Sequence, residues 1–193
     1  MTKFLSKTRF NPHSNDQIIM LTEDYEAIDF ASQKWIEQLK QYISTHKLQV
    51  ARLKELKRYY LGDNNIKYRP DKTDEFAADN RISSDFAKYI TIFEQGYMLG
   101  NPVKYTNEDK TLQDLIDAFS AQTNEAYHNI LIKTDLSIYG RAYELLNPEE
   151  DENGNVVLKL YHLAPEQTFV IYDDTYQQKS LLGVNYYEVD YGS

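Results

Sequence analysis

The chain has 193 residues, of which 41% are hydrophobic and 26% charged, with no cysteine and a formal net charge of -9. This is the composition of a globular protein, and its apolar runs of only a few residues leave no segment able to cross a bilayer. Without cysteine there are no disulfides, thiolate nucleophiles or Cys-ligated zinc and iron–sulfur sites, and the acidic balance argues against a generally adhesive nucleic-acid binder. The charge is uneven: residues 1–100 hold 15 Lys and Arg against 14 Asp and Glu, whereas residues 101–193 hold 6 against 16.

The opening MTKFLSKTRFNPHSND has no apolar h-region, so it is not a secretory signal and a cytoplasmic product is expected. Residues 1–21 lack periodicity and contain Asn11-Pro12, the pattern of an arm or loosely packed lead-in. Thr22 is placed to cap a first helix over residues 22–45, with Glu23 and Asp24 in its first turn and Tyr25, Ile28, Trp35, Leu39, Tyr42 and Ile43 at helical spacing. A second helix is expected over residues 48–61, with Leu53, Leu56 and Tyr60 on one side and an end at Gly62. Residues 62–79 are turn-rich.

Residues 80–105, NRISSDFAKYITIFEQGYMLGNPVKY, form the clearest amphipathic stretch. Ile82, Phe86, Tyr89, Ile90, Phe93 and Tyr97 share one face of a helix expected over residues 80–99, and that face calls for a core. Asp79 or Asn80 is the cap candidate; Gly100 offers a left-handed closing residue and Pro102 cannot continue the helix. Further helices are expected over residues 109–122, with Leu112, Leu115, Ile116 and Phe119 as the stripe, and over residues 124–140. In the latter Asn124 caps the start, Tyr127, Ile130, Leu131 and Ile138 share a face, and Gly140 closes the end.

From Arg141 the period changes to two. Residues 141–146 and 156–163 flank an acidic, Gly-containing loop as a hairpin, and residues 168–172 and 181–191 supply further strands. Helices followed by a small antiparallel β-meander make the fold class α+β.

Catalytic chemistry finds little support. His13, His46, His128 and His162 are scattered and read as surface or packing histidines, and no phosphate-cradling glycine motif occurs. Glu149, Asp151 and Asn153 precede Gly154 at EF-hand spacing, but Leu160 stands where a bidentate glutamate is required. Asp173 and Asp174, with Glu188 and Asp190, could converge on magnesium as in a nuclease, while adjacent aspartates at strand ends ordinarily make turns. The expectation is a non-enzyme with no metal and no cofactor. Residues 47–72 are rich in Lys and Arg with interleaved Tyr. Their ordinary reading is a solvated helix face and polar loop; the functional one is a DNA contact through Arg52, Lys57 and Arg58.

Four stretches together resemble portal proteins, the head-to-tail connectors of tailed double-stranded-DNA bacteriophages, of the siphophage type. They are LKRYYLGDNNI with Tyr59, Tyr60 and Gly62; the central helix from Asn80 to its Tyr97, Gly100, Asn101 and Pro102 exit; DLSIYGRAYELL with Gly140 and Tyr143; and the strand from Pro165 to Asp173 and Asp174. The resemblance implies an architectural component: a ring of about twelve subunits at a capsid vertex, through which DNA is packaged and leaves. It also implies capsid, scaffold and terminase partners, no membrane, and a place in the virion, with assembly in the host cytoplasm. Within that family the match is to the N-terminal wing, here residues 22–193 after an arm of residues 1–21. No stem, clip or crown is expected before the end at Ser193. The competing classes are a portal-derived interaction protein without a pore and a metal-dependent nuclease using Asp173, Asp174 and Glu188.

Overall fold

The computed structural model describes residues 18–70, 76, 78 and 80–189. His13, Lys72, Asp79, Asp190 and Tyr191 lie outside the described residues, as does the expected arm up to residue 17. The fold is α+β, with four helices and five strands among the described residues. The chain divides into two compact units, one from its two ends and one from Phe86–Pro165.

In the first unit, β1 (Ile19–Leu21) pairs in parallel with β4 (Thr168–Asp173), which pairs antiparallel with β5 (Ser180–Asn185). Strand β1 is a correction to the expected loose lead-in: Leu21 is 1% exposed and Ile19 lies opposite Ile171. Three residues are too few to show periodicity, so only the β4 edge reveals them as strand.

The two helices expected over residues 22–45 and 48–61 are instead a short 3-10 turn, Tyr25–Ala27, and one long helix, α1 (Gln33–Tyr60). Thr22 caps neither. Asp24 accepts from the Glu26 amide, and Ser32 Oγ accepts from the Trp35 amide at 3.2 Å. The helix continues through residues 45–48 because tertiary packing overrides weak local propensity there. His46 is buried, its ring stacks on Phe169 at 4.9 Å, and its Nδ1 lies 2.9 Å from the Tyr186 hydroxyl. Trp35, Phe169 and Ile171 join Ile19 and Leu21 in the core, backed by Leu39, Tyr42 and Ile43 of α1. Gly62 ends the helix as expected, at φ +74, and its amide donates to Tyr59 O.

The second unit begins with α2 (Phe86–Leu99), six residues later than the start expected at residue 80 with Asp79 or Asn80 as its cap. Residues 80–85 are non-helical, and Ser83 Oγ donates to Gly62 O at 2.9 Å. Ser83, Ser84 and Asp85 are poor helix-interior residues because their side chains compete for backbone bonds. At the other end Gly100 is not left-handed. Its glycine requirement is steric, since a Cβ there would stand 2.4 Å from Gly96 O.

Helix α3 (Lys110–Thr123) is capped by Asp109, whose Oδ1 accepts from the Thr111 amide at 2.8 Å. Asn124 closes α3 in the left-handed conformation, φ 50, and makes no side-chain cap for α4 (Glu125–Tyr139), contrary to the sequence reading. Gly140 ends α4 at φ 72, as expected. Strands β2 (Tyr143–Glu150) and β3 (Val156–Leu163) pair antiparallel in a sheet of their own, so the strands divide between two sheets.

Gly96 sits inside α2, exposed, with nothing within 4 Å of an added Cβ. Gly96→Ala is expected to stabilise the dilute chain by about 1 kcal/mol through helix propensity. A thermal melt that stays unchanged or falls would contradict that open-space reading.

Candidate assembly and nucleic-acid surfaces

The apolar face of α2 is exposed. Phe86 is 68% accessible, Phe93 65% and Tyr97 86%, and Tyr89 and Ile90 are exposed beside them, so the expectation of a buried face is overturned. Helix α2 turns a different side to α4. Thr91 is buried, Gln95 donates to Thr134 Oγ1, and Lys133 Nζ stands 2.6 Å from Glu94 Oε2. At about 100° per residue these contacts centre roughly 140° round the helix from the apolar stripe. Glu94 is held below the ordinary carboxylate range by Lys133 and then Ser137.

Helix α4 packs on the hairpin through a polar seam that sequence reasoning missed. His128 Nε2 lies 2.8 Å from Glu144 Oε2, and His162 Nε2 lies 2.6 Å from Asp135 Oδ2. His128, Asp135 and Tyr139 are the buried residues of α4, whereas Tyr127, expected on the apolar face, is 56% exposed. The spacing of residues 128 and 135 is helical, but polar residues do not register as a core stripe.

Along the hairpin Glu149 accepts from Lys159 at 2.8 Å, from the Tyr161 hydroxyl, and from Asn147 at 3.1 Å. These donors pull its carboxyl from 4.5 down to about 2. Because the folded value is the lower one, the pairing stabilises the hairpin above the unfolded value of 4.5 and is lost as pH falls through about 2. An NMR titration of the Glu149 carboxyl is expected to show its midpoint near 2. Lys159→Met should move that midpoint up, and a midpoint at the ordinary value in the unsubstituted chain would refute the assignment.

The turn that follows serves geometry. Asp151 Oδ1 accepts from the Asn153 and Asn155 amides, both at 2.8 Å, and Gly154 takes φ +82. Asp173 does the same after β4, accepting from the Thr175 hydroxyl and the Lys179 amide at 2.8 and 2.9 Å. Glu188 is paired with Lys47 at 2.7 Å. Among the described residues no group of three or more His, Asp or Glu could hold a metal ion.

The candidate DNA contacts are not equivalent. The Arg58 side chain is 11% exposed and bound within the first unit: Nε donates to Glu55 at 3.0 Å, and the other nitrogens reach Asp63 O and Asn65 Oδ1. Its guanidinium also lies 4.8 Å from the Tyr59 ring centre. Lys57 is paired with Glu166 at 2.9 Å and half-exposed, and Arg52 is half-buried on the same helix.

The other motif residues fall at junctions. Tyr59, Tyr60 and Gly62 end α1; Asn80 precedes α2; Gly100, Asn101 and Pro102 follow it; Gly140 and Tyr143 link α4 to β2; Pro165, buried, precedes β4. No helix among the described residues is long and apolar enough to cross a membrane.

The family described as phage portal protein, SPP1 Gp6-like, matches residues 39–193. The portal protein of Bacillus phage SPP1 is 24% identical over 139 residues, a stretch covering 67% of this chain and 27% of that relative. The chain therefore spans well under two thirds of the length of the curated relative it matches. The matched residues take in all four helices but for the first turns of α1, and every strand after β1, and on that coverage the chain belongs to the phage portal protein family, SPP1 Gp6-like.

Proposed function

We propose that the chain is the wing part of a phage portal subunit, acting as architecture rather than as an enzyme. The subunits form a ring of about twelve at one capsid vertex, and double-stranded DNA passes through it during packaging and ejection. The observation that carries this reading is the family match over residues 39–193. In this reading residues 22–193 form the wing, ahead of stem, clip and crown, and the motif residues from Tyr59 to Asp173 set the junctions that shape it. Capsid or scaffold proteins and the terminase are the ring's partners, first in the host cytoplasm and then in the virion. Any contact with DNA falls to Arg52 and Lys57, with Arg58 holding the end of α1.

Electron microscopy and mass photometry of the chain, alone and within the longest polypeptide its gene encodes, test the proposal. Rings are expected for the long form and weak association for the chain alone. A long form that stays monomeric under every assembly condition would remove the reading. Salt-dependent DNA binding by the chain, reduced when Arg52 and Lys57 are neutralised, tests the contact separately.

A further inference from the structure

Among the described residues, the second unit holds two uncovered apolar surfaces on different elements. One is the α2 stripe of Phe86, Tyr89, Ile90, Phe93 and Tyr97. Its five large side chains, from 54% exposed at Ile90 to 86% at Tyr97, present on the order of 700 Å². Monomeric proteins rarely leave so large a contiguous apolar patch open, and a standard interface takes about 800 Å² from each partner. The other is a groove of about 640 Å³ between α3 and β3, lined mainly by Tyr105, Leu115, Phe119, Val156 and Leu158. Its polar groups sit with Glu125, which accepts from the Tyr105 hydroxyl at 2.7 Å and from Ser120 at 2.6 Å.

We propose that the α2 stripe of one copy docks into the α3–β3 groove of a second copy, head to tail. This rests on the ring reading. A two-fold contact of stripe on stripe would stop at a dimer and leave both grooves open, whereas a head-to-tail contact buries both surfaces and leaves one of each free to continue the ring. Gly96 supports a close approach at the stripe. It flanks Tyr89 and Phe93, the described residues give it no steric reason to be glycine, and a bare helix position lets another surface come near.

The test is sedimentation velocity on the 193-residue chain with two variants, Phe93→Asp in the stripe and Leu115→Asp in the groove. Both side chains are more than 60% exposed, so the variants keep their fold, which circular dichroism checks. Unsubstituted chain is expected to associate with concentration, and each variant alone to weaken that by on the order of 100-fold. Mixed, the two should form a 1:1 complex that goes no further, since one intact stripe meets one intact groove. Gly96→Ala should weaken association while raising the melting temperature of the dilute chain. Leu115→Asp associating like the unsubstituted chain would show stripe-on-stripe contact and overturn the proposal, as would an unsubstituted chain that stays monomeric to millimolar concentration. Within the longest polypeptide of the gene, rings that persist with Phe93→Asp refute the docking pair and leave the ring reading standing. No rings from the unsubstituted polypeptide refute the ring reading itself.

Discussion

Ile171→Ala is expected to remove about 3–4 kcal/mol from the stability of the first unit, within the usual range for truncating a fully buried isoleucine. Ile171 is 0% exposed and stands in β4, the middle strand of its sheet, opposite Ile19 of β1 and Leu182 of β5. Trp35 and Phe169 join it in a buried cluster of large side chains, so truncation leaves a cavity in the core of the unit. Ile171→Val, which removes one methylene, should cost only about 1 kcal/mol. Trp35 is the single tryptophan of the chain and belongs to this core, so its fluorescence follows the unit directly. Urea unfolding read at Trp35 should give a lower midpoint with an unchanged slope. A loss below about 1 kcal/mol would mean that β4 is not the centre of the core.

That core was only partly legible in the sequence. Trp35, Leu39, Tyr42 and Ile43 carry a helical period, and residues 168–172 read as a strand. The contribution of Ile19 and Leu21 was hidden, because three residues in parallel register with a strand far along the chain leave no local periodicity. The same limit explains the break expected near residue 46: His46 is helical because Phe169 and Tyr186 hold it, and neither is near in sequence. The α2 stripe shows the opposite failure. Its period is plain in the sequence, but amphipathicity says only that a face seeks apolar cover and not whether that cover belongs to the same chain.

The basic and aromatic residues at the end of α1 are where a sequence reading and a structural one part most clearly, and Arg58 decides between them. Arg58→Ala is expected to cost about 2–3 kcal/mol, because it would strand the half-buried Glu55 carboxylate and the Asp63 carbonyl that the guanidinium now satisfies. Glu55, and then Asp63 and Tyr59, hold the guanidinium in its charged form against the cost of burial. Arg58→Lys should recover only part of the loss, since one ammonium cannot serve Glu55, Asp63 O and Asn65 together as the planar fork does. Lys57→Ala should cost under about 0.5 kcal/mol, as expected for a pair whose lysine is half-exposed. Thermal melts of the three variants, set beside DNA binding at two salt concentrations, separate the roles. If Arg58 were a DNA contact, its removal would lower affinity and flatten the salt dependence while leaving the melting temperature in place. If Arg58 is structural, Arg58→Ala moves the melting temperature first and, with the Asp63 carbonyl released, gives faster amide exchange at the end of α1 around Gly62.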